Sequence, residues 1–172
     1  MTASTRTDPE DIPLREVQRA RVGRRVIVGA LVLFLAAGAF ELLGSRTAEA
    51  SAEASGYRLT VIYPSITRPG LPIRWEFEVD HAGGFDGPIR LATSFDYLHL
   101  FDISNLEPDA TSATASGGDV IYAFDPPDAD VFRVSMDGNT EPGFHELPSA
   151  TTTLYVDDRP VVAVTYSTKV VP

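Results

Sequence analysis

The sequence contains no cysteine. That absence excludes disulfides, a thiolate metal site, a thiol nucleophile and a blue-copper centre, all of which need the sulfur. It also excludes a cysteine-linked lipoprotein anchor. A domain exported without disulfides must be held by its core alone. Histidine is scarce: His81, His99 and His145 are the three present, and none forms an HxH or HExxH spacing that would define a pair of metal ligands. There is no GxSxG, no GxxxxGK[ST] and no GxGxxG, so no nucleophile elbow, P-loop or dinucleotide site is announced. The expectation is that the protein is not an enzyme. The two asparagines, Asn105 and Asn139, are not followed by the glycosylation pattern.

What is present is one long apolar run. Val26–Leu43 reads VIVGALVLFLAAGAFELL, with Glu41 its one charge. A spanning helix needs about 20 mostly apolar residues. Val22 and the arginine stems extend the run by snorkelling, and Glu41 sits near its far end, where a charge costs less than at the bilayer centre. Residues 1–25 hold six arginines, and Arg19, Arg21, Arg24 and Arg25 lie close to the run. The positive-inside rule places this end in the cytoplasm and the rest outside. These four arginines are also the expected contacts to anionic lipid of the inner leaflet. The small residues of the run, Gly29 and Gly38 among them, offer a surface for a partner helix. A signal peptide is the rival reading: Ala48-Glu49-Ala50 and Ala50-Ser51-Ala52 are small-residue cleavage sites. Against it, the apolar run exceeds the usual signal-peptide core of about 7–15 residues.

From Ser45 onward the sequence has nineteen acidic and eight basic residues. Such a body repels nucleic acid and anionic headgroups and favours cationic partners. Four regions follow. Residues 1–21 are a polar cytoplasmic tail, with a short juxtamembrane helix opened by Pro13. Residues 22–44 are the transmembrane helix. Residues 45–56, SRTAEASAEASG, are small and polar and read as a short linker. Residues 57–172 are the extracytoplasmic domain.

That domain switches to a period of two. Tyr57–Tyr63 reads as a strand ended by Pro64. In Leu71–Asp80, Ile73, Trp75, Phe77 and Val79 share one face, while Arg74, Glu76 and Glu78 share the other. Pro88–Ser94, Thr111–Ala115, Val120–Phe124 and Asp130–Asp137 follow as strands, Phe95–Ile103 reads as a strand or an irregular edge rich in aromatics, and Asp137-Gly138-Asn139 offers turn chemistry. Thr151–Val156 and Pro160–Val170 form a hairpin joined by Asp157-Asp158-Arg159. Seven to nine short strands with almost no helical period predict an all-β fold, an Ig-like or fibronectin-III-like β-sandwich behind one N-terminal transmembrane helix. Trp75 is expected in its core.

The expected role is that of a single-pass accessory or interaction protein of the cytoplasmic membrane, with an acidic sandwich that binds a membrane protein or envelope component. The alternative is an exported ligand-binding module for calcium or carbohydrate. For calcium, which takes six to eight hard oxygens, the candidate ligands are Asp125, Asp128 and Asp130. No other cofactor is expected. For partner binding, the candidates are Gly29 and Gly38 on the helix, Phe85 in a glycine-rich turn, and Phe144 and His145 in the proline-bounded loop EPGFHELP.

Overall fold

The computed structural model describes residues 14–39, 45–141 and 148–171. They fall into two compact units divided between Gly44 and Ser45.

The first unit is the helix α1, Leu14–Ala39. The basic segment from Leu14 and the start of the apolar run form one continuous helix. Its large apolar side chains, from Val22 to Leu35, are exposed, from 51% at Val28 to 74% at Leu33. The described apolar part, from Val26 to Ala39, is roughly 14 residues or about 21 Å long, against about 30 Å for a bilayer core. Residues 40–44 of the run lie outside the described residues. Among the described residues no helix is long and apolar enough to cross a membrane.

The second unit is a β-sandwich of two antiparallel sheets. The strands are β1 (Arg46–Ala54), β2 (Tyr57–Thr67), β3 (Pro72–His81), β4 (Ile89–Ser94), β5 (Phe101–Glu107), β6 (Ser112–Ser116), β7 (Asp119–Phe124), β8 (Val131–Thr140), β9 (Ala150–Val156), β10 (Arg159–Tyr166) and β11 (Lys169–Val170). A one-turn helix, α2 (Phe95–Leu98), sits between β4 and β5. One sheet has the order β1-β2-β3-β8-β5, with β11 added parallel to the end of β2; the other has the order β10-β9-β4-β7-β6. Their inner faces share one core. The first sheet contributes Leu59, Val61, Trp75, Phe77, Val79, Phe132, Val134 and Met136; the second contributes Ile89, Leu91, Leu154, Val162, Val164 and Tyr166. The alternation visible in β3 is real: Ile73, Trp75, Phe77 and Val79 are buried, and Arg74 and Glu76 are exposed.

Four sequence expectations need correction. Residues 45–56 are not a linker. Arg46–Ala54 is β1, paired antiparallel with β2 along its whole length, so the folded domain begins at Ser45 and not at Tyr57. Ala50, Ala52 and Ala54 pack against the core while Glu49, Ser51 and Glu53 face out. This is a period-two strand written in alanine, a residue with low strand propensity. Ser55 and Gly56, both at positive φ, close the hairpin.

Pro64 does not end β2. It ends the ladder to β3, whose last pair is Ile62 with Glu76. The strand then runs on to Thr67 and takes β11 as its new neighbour through Ile66 and Thr67. Phe95–Ile103 is not one strand. A helical turn carries Tyr97 and Leu98 into the core before β5 begins. Finally, Asp137-Gly138-Asn139 is not a turn but the end of β8. A Cβ on Gly138 would lie 2.8 Å from the Asp102 carbonyl oxygen, so glycine is what lets β5 approach β8 at this point.

Candidate partner-binding surfaces

The loops after β3, β7 and β9 meet at one end of the sandwich. The His81 N–H donates to the Asp130 carbonyl at 2.9 Å. A Cβ on Gly84 would lie 4.0 Å from Asp130 Oδ1, and one on Gly87 would lie 3.5 Å from Asp157 Oδ1. Arg90 of β4 pairs with Asp158. The His81 ring stacks on Tyr57 at 3.9 Å and 12°, and its Nδ1 lies 2.9 Å from the Gly56 carbonyl. A carbonyl only accepts, so Nδ1 carries the proton and His81 locks the β1–β2 turn to β3. Phe85 leans against both rings, 6.4 Å from Tyr57 and 6.1 Å from His81.

The outer face of the first sheet is the second surface. Register places Ile62, Glu76, Ser135 and Glu107 in one row across β2, β3, β8 and β5. On one side of the row Arg74 pairs with Asp137 at 2.6 Å, and on the other Arg133 pairs with Glu78. The Arg74 hydrogen bond holds the Asp137 carboxyl below its usual range. The row, with Arg74, Glu78 and Arg133, lines a shallow cleft of about 260 Å³. Among the described residues Glu76 and Glu107 make no ion pair. Ile62 and the row of polar side chains beside it are flanked by two cross-strand ion pairs.

The third surface surrounds α2. Phe95 is 44% exposed and stacks on His99 at 5.6 Å and 10°. Its neighbours Tyr97 and Phe101 are buried. Beneath them Trp75 Nε1 donates to the Tyr97 hydroxyl, which bonds to Thr168 Oγ1, which donates to the Pro64 carbonyl, at 3.1, 2.6 and 2.5 Å. Burial pushes the Tyr97 phenol up to about 12, opposed by those hydrogen bonds. Burial also raises Tyr166, whose hydroxyl lies 3.0 Å from Thr152 Oγ1.

The residues singled out from sequence land as follows. Asp125, Asp128 and Asp130 are exposed, and among the described residues no three acidic or histidine side chains come together as a metal site requires. Asp125 borders a shallow pocket with Pro88, Arg90 and Thr111. Phe85 is half-buried against Tyr57 and His81. Gly29 and Gly38 are open, with nothing within 4 Å of an added Cβ. Arg24 and Arg25 are exposed on α1. Phe144 and His145 lie outside the described residues, as do the side chains of Arg19 and Arg21. The row Ile62-Glu76-Ser135-Glu107 was hidden in the sequence. Alternation marks Glu76 and Ser135 as outward-facing, but nothing local gives the register that aligns them.

No protein-family model matches the chain, and no curated protein does. Among solved structures, the chain is similar to a GH20 exo-β-N-acetylglucosaminidase from Vibrio harveyi in complex with N-acetylglucosamine, at 16% identity and a TM-score of 0.32. It is also similar to the inactive D437A mutant of that enzyme, at 17% identity and a TM-score of 0.28. Each match covers 69% of this chain and 18% of the glycosidase. Likeness at that level carries no argument about the activity of this chain.

Proposed function

We propose that the protein is a single-pass, membrane-anchored interaction module. Residues 22–44 form the anchor, the arginine-rich end lies in the cytoplasm, and the acidic sandwich stands outside, where it binds a membrane protein or a cationic envelope component. The observation that carries this reading is α1 itself. Its exposed residues, Val26, Ile27, Val28, Leu31, Val32, Leu33, Phe34 and Leu35, point in every direction around a helix of 3.6 residues per turn. A helix that is apolar all round belongs in a core or a bilayer.

The position of β1 supports retention of that helix. Both small-residue cleavage sites fall inside β1, between Ala48 and Ala52, where the strand is in unbroken register with β2. Cleavage there would strip half an edge strand from the folded domain. The strand order supports the Ig-like reading: β2-β3-β8-β5 against β10-β9-β4 reproduces the A-B-E-D and G-F-C sheets of a constant-type immunoglobulin domain. The β6–β7 hairpin is then an insertion between D and E, and β1 is an extra edge strand.

The chain has no cysteine, so single introduced thiols report topology directly. With Ser4→Cys and Asp128→Cys made separately, a membrane-impermeant maleimide applied to intact cells or spheroplasts labels position 128. It labels position 4 only after the membrane is opened. Labelling of both positions, or of neither, in intact membranes contradicts the reading.

A further inference from the structure

Among the described residues, and besides the two-residue β11 with its Lys169, the two sheets leave four edge strands, and three of them carry features that block pairing with another strand. β1 carries Arg46, Glu49 and Glu53. β5 carries Asp102 and Glu107 and shifts register between Ile103 and Asn105. β10 opens with Arg159 and Pro160 and shifts register between Pro160 and Val162. β6 carries none of these. Its five residues are uncharged, contain no proline, keep one register with β7, and are all exposed.

The sequence of β6 also reads the same in both directions: Ser112-Ala113-Thr114-Ala115-Ser116. A strand with that property pairs with itself. Gly117 and Gly118, both at positive φ, form a two-residue turn, so Ser116 and Asp119 are a hydrogen-bonded pair. The alternation of an antiparallel ladder then directs the N–H and C=O of Thr114 towards β7, and those of Ala113 and Ala115 away from it. The free backbone groups of the edge are therefore symmetric about Thr114.

We propose that β6 is a self-association edge. Two copies of the chain pair β6 to β6 antiparallel about a two-fold axis through Thr114, joining two five-stranded sheets into one. Ala113 of each copy exchanges backbone hydrogen bonds with Ala115 of the other, about four bonds in all. Thr114 faces Thr114 across the axis, and Ser112 faces Ser116. Cross-strand threonine pairs are favourable and no charge opposes them. The contact is closed, because both copies use the same edge and pair it about a two-fold axis. Pairing over five residues buries little surface, so the dimer is weak and concentration-dependent. Confinement to a membrane raises the effective concentration, a contribution that rests on the anchored reading.

The test uses the full chain in detergent, with cysteine introduced into a cysteine-free background. In the proposed pair the two Thr114 Cα atoms are about 4.5 Å apart, within disulfide reach. The two Ser112 Cα atoms lie about 14 Å apart. Under mild oxidation Thr114→Cys should give at least a tenfold greater disulfide-linked fraction than Ser112→Cys at equal concentration. Adding Ala115→Pro, which removes one outward N–H and leaves the β7 ladder intact, should abolish most of that cross-link while circular dichroism stays unchanged. No cross-link at 114, equal cross-linking at 114 and 112, or a cross-link that survives Ala115→Pro in a folded protein would each overturn the proposal. None of these outcomes bears on whether α1 is an anchor.

Discussion

The indole N–H of Trp75 donates to the hydroxyl of Tyr97 at 3.1 Å in the buried centre of the sandwich. An indole nitrogen only donates, so the Tyr97 oxygen accepts there and its own proton must go to Thr168. Thr168 then sends its proton to the Pro64 carbonyl. One direction of donation runs through β3, α2, the segment before β11, and β2. Tyr97→Phe leaves the Trp75 donor without a partner, at a cost of about 1–3 kcal/mol. Thr168→Val orphans both the Tyr97 donor and the Pro64 acceptor. Because the two changes break one chain, the double variant should cost less than the sum of the singles, by at least about 0.5 kcal/mol. Urea unfolding of the three variants measures this. Strict additivity would show that the chain does not act as a unit.

High pH should unfold the domain through the same phenol. Tyr97 titrates at about 12 in the folded protein against 10.0 for the free side chain, and Tyr166 is raised in the same direction, in both cases chiefly by burial. Between these values the folded state holds a proton that the unfolded state has lost. The stabilisation is complete below pH ~10 and is lost as pH rises towards ~12, at roughly 1.4 kcal/mol per pH unit for each such tyrosine. Absorbance titration should show Tyr97 and Tyr166 ionising only as the fold is lost. Ionisation of either near 10 in a folded protein would contradict the burial.

Gly138 is a packing requirement of the β5–β8 ladder. Gly138→Ala puts a methyl group 2.8 Å from the Asp102 carbonyl oxygen and 3.3 Å from Ile103, and backbone must move to admit it. The expected cost is about 1–3 kcal/mol, with faster proteolysis of the segment from Phe101 to Glu107. Gly70→Ala, where nothing lies within 4 Å, carries only the strain of its φ of 75° and should leave that segment as protected as before. Limited proteolysis followed by mass spectrometry separates the two.

Much of this fold was legible because burial and alternation coincide. β3 and most of β8 alternate large apolar residues with charges, and both were readable from the chain alone. β1 was not. Alanine every second residue satisfies the same geometry with too little apolar contrast to be distinguished from a linker. The 95–103 segment failed for the opposite reason: its aromatics suit a strand, but Tyr97 finds its hydrogen-bond partners only from a helical turn. Gly138 looked like turn chemistry because the approach of Asp102 is invisible at long sequence separation. The surfaces were harder still. The acidic loops share one end of the sandwich, and Phe85 lies beside the His81–Tyr57 stack there, a neighbourhood that only the fold brings together.

The domain boundary follows from β1. A fragment starting at Ser45 should fold as one cooperative unit. A fragment starting at Tyr57 uncovers the whole β1-facing edge of β2 and loses the packing of Ala50, Ala52 and Ala54. It should melt at least several degrees lower and aggregate through the new edge. Equal melting temperatures would make β1 an ornament to the fold.

The most direct test of the anchored reading is the intact mass of the protein recovered from native membranes. Retention of α1 predicts a protein that still carries residues Leu14–Ala39, resists alkaline extraction and is released by detergent. A mature N-terminus between residues 49 and 53, on a protein found free of the membrane, would contradict it.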